Sequence, residues 1–134
     1  MKSTLQAVFD ILEGDSQIKE ILGVVRVYTI VKPKSIEGFP YIVINIDIDN
    51  INKVIFQPVV KIDVYDKGNS SERTLDAAGR IMQILDRAVL NTGAEYAQSR
   101  FEASGMVPED TDSGVWHWSA DFSIRADKKE VIGG

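Results

Sequence analysis

The chain contains no cysteine. That absence excludes disulfide scaffolds, thiol nucleophiles and cysteine-ligated zinc together, and it suits a reducing interior. Histidine is nearly missing as well. His117 could act as a base, but no serine occupies a G-x-S-x-G elbow, so nucleophilic catalysis lacks its framework. No apolar run approaches the length of a membrane span. The opening "MKSTLQAVFDILEGD" is interrupted by Asp10 and Glu13, so it lacks the apolar core of a signal peptide. Positive charge is in the minority too, with 15 Lys and Arg against 20 Asp and Glu for a net charge of -5. Nonspecific binding to DNA or anionic lipid, which draws its affinity from cations, is therefore disfavoured.

What is present suffices for one core. A chain of 134 residues, 44% of them hydrophobic, is too short for two comfortable domains. At this size folding hides about 70% of the extended chain's surface, so no disulfide or structural metal is needed for stability. The expectation is one α+β domain over residues 1–126 and a flexible polar tail over 127–134, "DKKEVIGG".

Periodicity places the elements. Leu5, Val8, Phe9 and Leu12 share one helical face, with Ser3 or Thr4 available as the N-cap and Gly14 as the stop. "DSQIKEILG" predicts a second, short helix capped by Asp15 or Ser16, with Ile18, Ile21 and Leu22 inward and Gly23 in the left-handed stop position. "VVRVYTIV" reads as a strand ending before Pro33. After Pro40 the period changes to two. Ile42, Ile44, Ile46 and Ile48 alternate with Asn45, Asp47 and Asp49, and beyond the turn "NINK" the residues Phe56, Val60, Ile62 and Val64 alternate with Gln57, Lys61, Asp63 and Tyr65. The two runs predict an antiparallel hairpin whose Pro58 end lies at an edge or bulge.

The strongest helix signal is "GNSSERTLDAAGRIMQILDRAVLNTG". Asn69 and Glu72 have capping-box spacing, and Leu75, Ala78, Met82, Leu85 and Val89 form an apolar stripe ending before Gly93. "AEYAQSRFEAS" follows as a strand and "GMVPEDTDSG" as an acidic loop. The closing strand "GVWHWSADFSIRA" sends Trp116, Trp118, Ala120, Phe122 and Ile124 to the core. His117, Ser119, Asp121, Ser123 and Arg125 go to the opposite face. Altogether the pattern gives about five strands in a mostly antiparallel or mixed sheet, with a long helix and a short N-terminal helical segment packed on it.

Reactive constellations are thin. Asp47, Asp49 and Asp63, with Lys61 nearby, could hold a divalent cation on one face of the hairpin, although mixed charge on a solvated sheet face is ordinary. Asp110, Asp112 and Gly114 resemble the front half of a calcium loop, but strand residues stand where the bidentate acid belongs. "GNSSERT" lacks the second glycine and the lysine of a phosphate loop. Stacking of single-stranded nucleic acid would need aromatics interleaved with basic residues, and here they fall on core faces among acids. The reading is a noncatalytic protein with no cofactor and no metal. Long strands and terminal or loop segments suit assembly with other chains. The candidate contacts are Asp49, Asn50, Asn52 and Lys53 at the hairpin tip, Glu109, Asp110 and Asp112 in the Gly105–Gly114 loop, and Lys128 and Lys129 in the tail.

The order of helix, short helix ending in "ILGVVRVY", "FPYIVI", then "VVKIDVYDKGNSSERTLDAAGRIMQILD" and finally "DTDSGVWHWSADFSIRA" resembles the tail-completion and tail-terminator proteins of long-tailed bacteriophages and prophages. The likeness runs from about Leu5 to Ala126. It rests on the strand "DVYDK" followed at once by a polar turn and a helix, and on the late "VWHWSADFSIRA" strand. The resemblance implies a virion assembly protein that caps the tail tube, ends its polymerisation and joins the tail to the head connector. It further implies a sixfold ring in the tail-neck region, assembled in the bacterial cytoplasm, with tail tube and neck proteins as partners. DNA would pass through the ring without sequence-specific binding, and an acidic lumen would repel its phosphates. A head-closure adaptor is the alternative within the same class, and a carboxylate metal enzyme the alternative outside it.

Overall fold

The computed structural model describes residues 2–24, 26–29, 38–47, 58–91, 95–108 and 114–128. Helix α1 (Lys2–Glu13) is followed by α2 (Ser16–Leu22), β1 (Val27–Thr29), β2 (Tyr41–Asp47), β3 (Val59–Lys67), α3 (Glu72–Leu85), β4 (Val89–Asn91), β5 (Glu95–Val107) and β6 (Val115–Lys128). The strands form one mixed sheet in the order β1-β2-β3-β6-β5-β4. Only β1 and β2 are parallel; every other neighbouring pair is antiparallel.

Local chemistry sets the helix ends. Asp15 caps α2 by accepting a 2.9 Å bond from the Ile18 N–H, and Gly23, at φ 78°, closes it by donating to the Lys19 carbonyl at 2.8 Å. Helix α1 begins at Lys2, so Ser3 and Thr4 lie inside it rather than capping it. At α3 the expected box from Asn69 is absent. Ser71 is the N-cap residue, and the Ser70 hydroxyl accepts from the Glu72 N–H at 3.1 Å.

The buried face of α3 is also rotated from the expected stripe. Thr74, Ala77, Ala78, Ile81 and Leu85 point inward, while Leu75 is 48% exposed. Small residues at 77 and 78 let the helix approach the sheet closely, and that approach decides the face. Nor does the helix reach Val89. It stops at Leu85, the chain reverses through Arg87 at φ 63°, and Arg87 and Ala88 bond with Ser99 on β5. This reversal creates β4, a sixth strand where about five were expected, and leaves Val89 65% exposed.

Alternation holds in the central strands. Ile42 and Ile44 on β2, Val60, Ile62 and Val64 on β3, and Trp118, Ala120, Phe122 and Ile124 on β6 are all buried in one core with α1, α2 and α3. Helix α1 packs against β1, β2 and β4. Since β1 and β4 are opposite edges, the sheet must curl around α1 to bring both to it. Pro58 lies just before the first residue of β3 and is buried, and its carbonyl accepts from the Ile124 N–H. It precedes a central strand, not an edge. A proline there forfeits no ladder bond inside the strand.

Two boundaries move. Strand β5 continues to Val107, so Gly105, Met106 and Val107 belong to the sheet and not to the acidic loop; pairing with Ser119, Trp118 and His117 on β6 holds them extended. Strand β6 runs through Lys128, so Asp127 and Lys128, read as tail, pair with Tyr96 and Glu95.

Candidate functional site

Of the nine candidate contact residues, Lys128 alone lies among the described residues, as the last residue of β6. Asp49, Asn50, Asn52, Lys53, Glu109, Asp110, Asp112 and Lys129 lie outside them. Asp110 and Asp112 of the calcium-loop reading and the turn "NINK" fall there too, whereas Gly114 is described, at φ 69°.

Of the acids in the metal alternative, Asp63 is described, Asp47 is described by its strand position, and Asp49 lies outside the described residues. In the register, Asp47 is level with Val59, four positions along β3 from Asp63, which is about 13 Å of strand. The Asp63 carboxylate is engaged by His117, whose Nε2 lies 2.7 Å from Oδ1. Among the described residues no three His, Cys, Asp or Glu are grouped to hold a metal ion.

Around His117 the sheet face away from the helices carries an aromatic row. His117 stacks on Tyr65 with ring centroids 4.1 Å apart, Tyr65 on Tyr41 at 4.8 Å, and Tyr41 packs against Phe39 and Tyr28. His117 is on the face its position in the strand predicts, opposite Trp118, yet it is only 8% exposed. The two tryptophans also part company: Trp118 is core, whereas Trp116 is half-exposed and its Nε1 donates to the Gly68 carbonyl at 3.0 Å. Cross-strand stacking accounts for the row, because the register sets Tyr41, Tyr65 and His117 level across β2, β3 and β6. Sequence spacing within one strand carries no sign of that alignment.

Two ion pairs hold the elements that frame this sheet. Asp15 meets Arg80 of α3 in a bidentate pair at 2.7 and 3.0 Å, and the Arg80 guanidinium holds the Asp15 carboxyl below its ordinary pKa, with burial opposing the shift and the Ile18 N–H assisting it. Asp66, 2% exposed at the end of β3, accepts two bonds from Arg73 and one from the Lys67 N–H. The stretch "DVYDKGNSSER" thus turns from strand to helix around a saturated carboxylate.

The most accessible described part of the sheet is the far half of β5. The turn after α3 protects this strand as far as Phe101, whose N–H donates to Asp86 Oδ1 at 3.0 Å. A bulge between Phe101 and Ala103 follows, and Glu102 there accepts a 2.6 Å bond from Ser123. From Glu102 to Met106 every residue is exposed, and among the described residues no strand pairs on that side of β5. Phe101 and Met106, 36% and 39% exposed, lie along it. On the outer face a depression of about 300 Å³ is lined by Lys61, Ala103, Gly105, Ser119 and Asp121; one Asp121 carboxylate oxygen is buried there without a hydrogen-bond partner.

No protein-family model and no curated protein sequence matches the chain. Solved structures do. A chain in the virion of a native gene transfer agent particle is similar with a TM-score of 0.74 at 18% identity, over 93% of this chain and 95% of that one. The gp17 protein of bacteriophage SPP1 is similar with a TM-score of 0.62 at 15% identity, over 94% and 90%. The chain therefore shares, nearly end to end, the fold of those two proteins.

Proposed function

We propose that this chain is a structural virion assembly protein that caps a phage tail tube, ends its polymerisation and joins the tail to the head connector, acting as a sixfold ring. The observation that carries the reading is the shared fold, which covers at least nine-tenths of both chains in each comparison. The sequence pattern supports it from a separate direction through the "DVYDK" strand-to-helix turn, whose Asp66–Arg73 pair gives that stretch a structural role. A noncatalytic role goes with that reading, since the same fold occurs in a chain of a virion particle. Partners in this reading are copies of the chain itself, the tail tube protein and the neck proteins. The genome passes through without being read, and the net charge of -5 suits that passage.

The test is to add the purified chain to isolated tail tubes and image them. Rings at one tube end, and tubes of fixed length when the chain is present during polymerisation, are the expected results. Tubes that grow to the same lengths with and without the chain, and bare ends in every image, would overturn the reading.

A further inference from the structure

We infer that the depression between β5 and β6 on the outer sheet face holds the guanidinium of an arginine presented by another protein chain, with Asp121 as its counter-ion. The depression has a local cause. Ala103 and Gly105 stand level with Asp121 and Ser119 in the register, so two small residues face two polar ones and leave about 300 Å³ beside them. A Cβ built on Gly105 meets no atom within 4 Å. Lys61 lines the β3 side, and Met106, Val107 and Pro108 line the end of β5.

Within this lining Asp121 stands out. One of its carboxylate oxygens is buried without a hydrogen-bond partner, although burying a charged oxygen is costly unless a donor replaces the lost water. Two cations lie close along the sheet, and neither takes it. Lys61 is its level neighbour on β3 and Arg100 its diagonal neighbour on β5, yet among the described residues Asp121 forms no ion pair.

The occupant follows from charge and shape. An unpaired carboxylate calls for a cation, and a planar guanidinium can donate to both of its oxygens at once, whereas an ammonium meets it as a point charge. Met106, Val107 and Pro108 give the arginine stem apolar atoms to lie against, and Lys61 is exposed, so its own ammonium can stay in water. A metal ion is served less well. It needs several oxygen ligands, and among the described residues no three His, Cys, Asp or Glu are grouped to supply them. This contact adds to the tail-tube reading and does not rest on it.

The test uses the full-length chain and N-acetyl-argininamide as the probe, with N-acetyl-citrullinamide, similar in shape but uncharged, as the comparison. In proton–nitrogen correlation spectra the arginine probe should shift the amides of Ser104, Gly105, Ser119 and Asp121 to saturation, and the citrulline probe should not. Asp121→Asn should weaken the binding about tenfold, as loss of a charged hydrogen-bond partner does. Gly105→Val, which fills the depression and leaves the carboxylate in place, should weaken it as well. Urea unfolding separates a partner from outside from one within the chain. Asp121→Asn should leave the midpoint unchanged or raise it, because the buried oxygen has no partner to lose. A lowered midpoint, equal shifts with both probes, or undiminished binding by Asp121→Asn would overturn the inference. Bare tail tubes beside intact probe binding would reject the proposed function and keep this site, and rings on tubes without probe binding would do the reverse.

Discussion

Asp15 joins two elements, because one carboxylate both caps α2 and pairs with Arg80 on α3. Its folded pKa is lowered, chiefly by the Arg80 hydrogen bonds, so the stability it contributes is fully present above its unfolded pKa of about 3.9 and is lost as pH falls through the lower folded value. Asp15→Asn keeps a capping acceptor and removes the titration. Urea midpoints measured from pH 2 to 7 should therefore fall less steeply below pH 4 in the variant than in the parent. At His117 the expected result is different in kind. His117→Phe preserves an aromatic ring beside Tyr65 but leaves the half-buried Asp63 carboxylate without its 2.7 Å partner, a loss of about 2 kcal/mol in denaturant unfolding.

At the scale of elements, α3 shows how packing selects one helical face from two that the sequence offers. The apolar positions 75, 78, 82 and 85 make one stripe, and 77, 78, 81 and 85 with Thr74 make another. The second brings two alanines to the contact and lets the helix sit close to β3 and β6. Ile81→Ala should accordingly cost about 3 kcal/mol, and Leu75→Ser should stay within about 0.5 kcal/mol of the parent. Chemical denaturation of the two variants checks this directly; a larger loss at Leu75 would contradict the face assigned. Strand β5 shows the complementary case, in which alternation is weak and, among the described residues, pairing with β6 holds "ASGMV" extended.

For the whole molecule the organising feature is the curl of the sheet around α1, which brings the β1 and β4 edges to one helix and places Val8 and Leu12 at the centre of the core. Removal of residues 2–13 should therefore abolish cooperative unfolding and expose the apolar faces of β1, β2 and β4. A sharp thermal transition in the truncated chain would show that the sheet closes without it. Among the described residues no strand lies on the outer side of the far half of β5, whereas the opposite end of the same strand is covered by β4 and Asp86.

The α+β class, both N-terminal helices, a cap at Asp15 or Ser16, the Gly23 stop and the buried faces of β2, β3 and β6 apart from Trp116 were legible in the sequence, because each follows from a period or a cap within one short segment. The short strand β4, the rotated face of α3, the length of β5 and the aromatic row through His117 were not. Each depends on which segments, distant in the chain, come to lie side by side: Arg87 finds Ser99, Tyr65 finds His117, and Met106 finds Trp118. The candidate contacts chosen for charge and turn position fell mostly outside the described residues, while the exposed edge of β5 carried no sign in sequence beyond Gly105 and its small neighbours. An edge is defined by the strand that is not beside it, and only the tertiary structure decides which strand that is.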